Sequence, residues 1–411
     1  MKWVKWLLIS FSLLLVITDE GNVAANEQNG IAFIKDGNLW VKEGKGEFQV
    51  TKQGSIQFPK WSYDGKWIAY LKNRTEIWAY DTDAQKHVKV SEEGGNVFKW
   101  SPSENILAFQ TNGTLARIHL DDISVHKVAQ GVNQYSWLPD GTGFLVSDVA
   151  TLTPNGWGSV WLYKIPLTYN KGLKKTDPFY TLPPEGQLED FFAIATSEFK
   201  FSPDGKWISF LAVPTASWSM DSNSLSLLST DGKTFEVVDK MILHPDWFKW
   251  GPTTNKLAYI EGEGRMALQN KELKVKELPA ITMEYTPDGF VDGDFTWIND
   301  DEIILSRTKE SEWFNDPRKR PLPQLVKINL KHKQEEVLTR PKEGIGDFNP
   351  YYHQEANKLY WIRTDREKGE LWRANPDGSE AEIWIDKLDV PFPYYETWDW
   401  KQVIQISTNK K

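Results

Sequence analysis

FKFSPDGKWISF occupies residues 199–210, and WSYDGKWIAY occupies 61–70. The two phrases share one grammar. An aromatic-bearing strand runs into an Asp-Gly turn, and an alternating apolar strand leaves it. Glycine accepts the positive φ that a tight hairpin needs, and aspartate bonds its local backbone. Worn versions recur as FKWSPSENILAF (98–109), YSWLPDGTGFLV (135–146), FKWGPTTNKLAY (248–259), FTWINDDEIILS (295–306) and FNPYYHQEANKLYW (348–361). Their aromatics fall at Trp61, Trp100, Trp137, Phe201, Trp250, Trp297 and Tyr352, about 37 to 64 residues apart, which is the spacing of a supersecondary repeat.

Each unit continues the same way. A third strand follows (TEIWAYD at 75–81, SVWLYKI at 159–165, GELWRAN at 369–375), and then a fourth (HVKVS at 87–91, FEVVD at 235–239, EEVLTR at 335–340). One four-stranded sheet cannot bury both faces, but a ring of such sheets can. The expected fold is all-β: a closed propeller of four-stranded antiparallel blades. The segment 31–54 reads as a blade lacking its first strand, and TWDWKQVIQIS (397–407) reads as the missing inner strand. Pairing the N- and C-terminal strands hides both edges and closes the ring. Seven internal units plus this hybrid give eight blades; seven stays open if the terminal unit is miscounted.

Composition bounds the rest. The 411 residues are 40% hydrophobic and 26% charged, enough for a core, with 21 Trp that suit sheets. A net charge of −9 argues against nucleic-acid binding, which needs a positive footprint. The start carries Lys2 and Lys5, an apolar run over 7–17, and small residues at Val23, Ala24 and Ala25. That is signal-peptide grammar. Residues 1–25 are expected to be cleaved, with an uncleaved anchor as the alternative, and 26–411 to form a single propeller domain. The stretch from Trp6 to Thr18 is short for a span, so no integral membrane domain is expected. There is no Cys, which removes disulfides and lipoprotein anchoring. The expectation is a secreted or envelope-associated monomer.

FSPDGKWISF and WSYDGKWIAY resemble the TolB-type propeller repeat of bacterial envelope proteins, over nearly all of the mature chain. The resemblance implies architecture and leaves function open. That family and its relatives include partner-binding periplasmic proteins, the propeller domains of prolyl-oligopeptidase-like peptidases, and oligogalacturonate lyases. Strands are expected almost directly after the leader, where TolB has an additional domain, which argues against a TolB role in a Tol–Pal system.

Topology sorts the loops. With the Asp-Gly turns at the bottom, the long segments 147–159, 180–198, 211–224, 279–294, 307–323 and 388–398 all fall on top. Loops on a rigid scaffold carry function. The candidate partner-binding residues are Trp157, Trp218, Tyr285, Trp313, Phe314, Tyr394 and Tyr395; each also reads as a ring folded back to cap its own blade. Arg318, Lys319 and Arg320 read as a solvated basic cluster. Asp288, Asp292 and Asp294 read as turn acids, since PDGFVDGD lacks the EF-hand spacing for Ca²⁺. No HExxH or GxSxG occurs, and the six His show no metal-ligand spacing. His244 and His353 sit near motif strands. Glu189, Asp190, Asp246, Glu284 and Glu312 are the carboxylates that a glycosidase pair would draw on. The expected function is a non-catalytic binding or scaffold protein that presents its top face to a protein, peptide or cell-wall glycan, without a cofactor. The alternative is a polysaccharide lyase or hydrolase acting in the funnel.

Overall fold

The computed structural model describes residues 30–95, 97–173, 178–278 and 281–407. The leader expected over 1–25 lies outside the described residues. Eight antiparallel sheets stand around one axis. Blade 1 joins Ile31–Lys35, Asn38–Glu43 and Gly46–Gln49 to Ile404–Ile406, which is its innermost strand. Blades 2 to 8 follow in chain order over 56–91, 98–130, 134–181, 195–241, 248–284, 290–337 and 346–388. The closing strand pairs Ile31 with Ile406 and Phe33 with Ile404. Its ends are tied by Ile34 N–H to Val403 O (2.8 Å) and Ser407 N–H to Gly30 O (2.9 Å). Asp389 adds a second clasp, taking the backbone N–H groups of Asp36 and Gly37 at 2.8 Å each. His353 serves here too: its buried Nε2 lies 3.1 Å from Ser407 O. The long fourth unit has a physical cause. It holds an extra hairpin, Leu152–Thr153 with Gly156–Trp157, and Lys171–Gly172 joins the outer edge of blade 3 in parallel.

The repeated turn is built by its own polar residues. Ser62 Oγ accepts the Trp67 N–H and donates to Asp64, whose Oδ1 also caps the Lys66 N–H, all at 2.9 Å. Gly65 takes φ +73°. Ser202, Asp204 and Gly205 repeat the arrangement. The second carboxylate oxygen reaches the next turn: Asn105 Nδ2 meets Asp64 at 2.7 Å, and Asn255 Nδ2 meets Asp204 at 2.8 Å. The motif aspartate therefore folds its own hairpin and clasps a neighbour.

The aromatic–Lys–Trp phrase locks adjacent blades. Trp100, Trp137, Trp250 and Trp297 each donate the indole N–H to the carbonyl of Lys60, Lys99, Lys200 and Lys249 in an adjacent blade, at 2.8 to 3.3 Å. Each lysine returns the contact. Its Nζ donates to the carbonyl of Phe98, Tyr135, Phe248 or Phe295, two residues before that Trp. It also lies over the same ring, 4.2 to 5.6 Å from the centroid. Cation–π contact adds to two hydrogen bonds, each worth about 1 kcal/mol net. Where the inner strand has no lysine, another side chain substitutes. Ser136 takes the Phe199 N–H (2.9 Å), Thr296 takes the Tyr352 N–H (3.3 Å), and Gln405 takes the Trp61 N–H (2.5 Å). Phe201 has no side-chain N–H, the Tyr352 hydroxyl bonds Asn357 in its own turn, and the Trp61 indole N–H has no partner among the described residues, so these three repeats lack the indole half of the lock.

Strand order puts every second-to-third and every blade-to-blade connection on the face opposite the Asp-Gly turns. The long loops meet there. Ala150 N–H donates to Ile194 O (2.9 Å), Gly264 N–H to Asp221 O (2.8 Å), and Ser311 N–H to Leu268 O (3.1 Å).

Candidate functional site

A cleft of about 1480 Å³ opens on that face over blades 7 and 8. Its walls are the loop after Glu302–Lys309, the segment 341–345 between the blades, the turn at 365–367, and the closing segment 392–396. Pro317, Pro321, Pro341 and Pro393 stiffen these loops by fixing φ.

The closing segment forms the most unusual turn. Tyr394 and Thr397 exchange both backbone hydrogen bonds at 2.9 Å. The two residues between them, Tyr395 and Glu396, have φ of +50° and +66°. Consecutive left-handed residues ordinarily call for Asn-Gly, and a side-chain-bearing residue costs about 1 kcal/mol or more there. Surrounding contacts hold the turn. The Glu396 carboxylate is buried and accepts from Arg320 Nη1 (2.9 Å) and Arg366 Nη2 (3.3 Å). Ala267 N–H donates to Tyr395 O (3.1 Å). The result is a fixed aromatic rail. Trp313 and Tyr395 lie 5.2 Å apart, and Tyr394 stands edge-on to Tyr395 at 4.8 Å. The Arg320 guanidinium covers Trp313 at 3.7 Å.

Seven Arg and Lys line the cleft against five acids. Lys309, Lys319 and Lys342 stand exposed on its rim. Arg318 is tied to Asp316 (3.0 Å), while Arg366 Nε is buried without a partner among the described residues. In a chain of net charge −9, this is a local excess of cation.

Of the candidate rings, Trp313, Tyr394 and Tyr395 come together here. Phe314 is exposed beside them, and its carbonyl accepts from Arg320 (2.6 Å). Trp157 is half-buried on the blade 4 hairpin, packed on the blade 4–5 core. Trp218 sits on the short helix Ala216–Ser219, largely exposed, edge-on to Phe192 at 6.5 Å. Tyr285 packs into the blade 6–7 core, and its hydroxyl donates to Leu330 O (3.4 Å). Asp292 is not a turn acid: both its oxygens bond the Arg307 guanidinium (2.6 and 2.7 Å), and Oδ2 also takes the Thr286 hydroxyl. The expected solvated cluster divides: Arg318 and Lys319 are exposed, whereas Arg320 is a half-buried wall of the site.

A second polar centre surrounds the channel mouth. Lys401, on the closing segment, meets Asp246 at 2.5 Å. Lys99 meets Glu198 at 2.7 Å. Burial pushes Asp246 up, but Lys401 and Lys200 outweigh it and hold the carboxyl at about 2. Burial raises Asp294, which accepts from Trp247 Nε1 at 2.9 Å. His244 stacks on Trp247 at 4.8 Å. Glu189, Glu284 and Glu312 do not join this centre; Glu189 and Glu312 lie on separate top loops, and Glu284 ends the outer strand of blade 6. Among the described residues, no three His, Cys, Asp or Glu are placed to hold a metal ion.

No protein-family model matches the chain, and no curated protein does. Among solved structures the chain is similar to the dihydro-heme d1 dehydrogenase NirN in complex with DHE, at 13% identity over 90% of this chain and 76% of that one, with a TM-score of 0.55. It is similar to puromycin hydrolase at 11% identity, over 84% and 55% of the two chains, with a TM-score of 0.50. TolB from Acinetobacter baumannii matches at 16% identity over 61% and 62%, with a TM-score of 0.37. The chain spans about half the length of the puromycin-hydrolysing proteins it matches. At these identities the likeness to the first two shows the fold alone. The likeness to TolB is weak and partial.

Proposed function

We propose that the protein is an extracytoplasmic binding propeller whose blade 7–8 cleft takes an anionic glycan. The observation that carries this reading is the fixed rail of Trp313, Tyr395 and Tyr394 beside an excess of Arg and Lys. Aromatic faces stack on the C–H faces of sugars, and guanidinium forks pair with carboxylates. A rigid rail loses little entropy when a ligand arrives. The test is calorimetric titration with acidic and neutral oligosaccharides of equal length. Acidic chains should bind more tightly, with affinity falling as salt rises. Trp313→Ala and Lys309→Ala should each weaken binding about tenfold. Equal affinity for neutral chains, or unchanged affinity in both variants, sinks the reading.

A second reading, cleavage of such a polymer at the channel mouth, draws support from two nearby carboxyls pushed in opposite directions. Asp246 is held at about 2 while Asp294 is raised, the pattern of an acid–base pair. Release of new reducing ends, or of unsaturated products, from an acidic polysaccharide would favour it. Abolition of that release by Asp294→Asn would place the chemistry there.

A further inference from the structure

A small cavity of about 50 Å³ lies against the floor of the cleft and shares Thr308, Pro321 and Glu396 with it. Its lining is part apolar and part polar. Ala267, Leu268, Val291 and Phe348 supply the apolar side. Ser306 and Trp398 are 5% and 3% exposed, and Ser306 Oγ and Trp398 Nε1 are buried without a partner among the described residues. Unpaired buried polar groups are uncommon and call for an explanation. Neither ring nor backbone is free to turn away. Trp398 is stacked on Trp400 at 5.3 Å and packed on Phe348 at 5.4 Å, and Ser306 is inside a paired strand. Of the acids in the lining, Asp292 and Glu396 are taken up by arginines, while Asp294 has one oxygen on the Trp247 N–H.

We propose that this cavity receives the acetamido group of an N-acetylated sugar unit whose chain lies in the cleft. The proposal rests on the glycan reading above and names the sugar. Roughly four water-sized groups fit the volume, matching the nitrogen, carbonyl carbon, oxygen and methyl of an acetamide. The Trp398 N–H and Ser306 hydroxyl are donors for the carbonyl oxygen. The Asp294 carboxyl accepts the amide N–H. The apolar wall takes the methyl. A free hydroxyl would leave the apolar wall unused, and a longer acyl chain would not fit.

The test uses the full mature chain and three versions of one octasaccharide of alternating uronate and hexosamine units: N-acetylated, de-N-acetylated and N-butyrylated. A polyuronate of equal length measures the cleft alone. The N-acetylated chain should bind at least about tenfold more tightly than the other two versions, since a site built to hydrogen-bond a group rejects analogues lacking it. Trp398→Phe and Ser306→Ala should erase that preference. Equal affinity for all three versions overturns the proposal while polyuronate binding keeps the cleft reading. Failure of every acidic sugar to bind overturns both, as does capture of an acidic peptide in their place. The ligand series on the unaltered protein decides the matter even if a variant misfolds.

Discussion

Lys401 and Asp246 meet at 2.5 Å across the mouth of the channel. The lysine stands on the closing segment, and the aspartate stands between blades 5 and 6. The pair therefore ties the C-terminal closure to the far side of the ring. Both side chains keep contact with water, so the tie is worth about 0.5–1 kcal/mol and not the value of a dry pair. Lys401→Met should lower the unfolding free energy from urea titration by that amount. Asp246 has a depressed folded pKa, so its contribution is complete above the unfolded value of ~3.9 and is lost as pH falls toward about 2. Acid titration of wild type and Lys401→Met should converge below pH ~3. A constant gap down to that pH would refute the assignment.

The inter-blade lock makes a sharper prediction at Trp250. Trp250→Phe keeps an aromatic ring but removes the N–H that reaches Lys200 O together with the five-membered ring that carries it. The expected cost is about 1 kcal/mol, with more if the carbonyl is left dry. Lys200→Met deletes the Nζ bonds to Pro245 O and Phe248 O and the cation–π contact. The two changes act on one lock, so a double-mutant cycle should show coupling of about 0.5 kcal/mol or more. Strict additivity would mean the two halves are independent.

The lysine ring also predicts a pH profile. Burial lowers Lys60 to about 7 and Lys200 to about 8, against ~10.4 in an unfolded chain. Between those values the unfolded chain binds more protons, so stability rises with pH from about 7 to about 10. Burial raises Tyr135 and Tyr259 well above their usual value, so stability falls again above ~10 as the unfolded tyrosines ionise. Lys60 and Lys200 are only half-buried, so the rise is shallower than a dry interior would give. Urea midpoints from pH 6.5 to 10 (about half-unit steps) test this, and Lys60→Met should flatten the lower part. A midpoint that falls across the window would contradict it.

These relationships differ in how far the sequence reveals them. The Ser-Asp-Gly hairpin is local, so SPDGK announces it, and seven recurrences announce the ring. The split blade is legible because 31–54 lacks an inner strand and 397–407 offers one, although only Ile404–Ile406 pairs and Trp400–Gln402 forms a 3₁₀ turn. The lysine staples are not legible. A Lys between two aromatics reads as surface until the ring sets it beside the axis. Trp313 and Tyr395 are visible as loop aromatics, but their meeting depends on segments 82 positions apart. YYET carries no Gly or Asn, so nothing in it signals a left-handed turn.

That turn gives the last prediction. Tyr395→Gly relieves a positive φ and should add about 0.5–1 kcal/mol of stability, while removing a ring from the rail. Stability and ligand affinity should thus move in opposite directions. Glu396→Gly also relieves a positive φ, yet it strips the shared partner from Arg320 and Arg366, whose side chains are 10% and 14% exposed. Leaving two cations without their carboxylate costs about 3 kcal/mol, more than the relief returns. Glu396→Gly should therefore lower the thermal midpoint while Tyr395→Gly raises it. A rise in both variants would show that backbone strain, and not the arginine pairing, governs the turn, and a fall in both would show that the lost side-chain contacts outweigh the relief of strain.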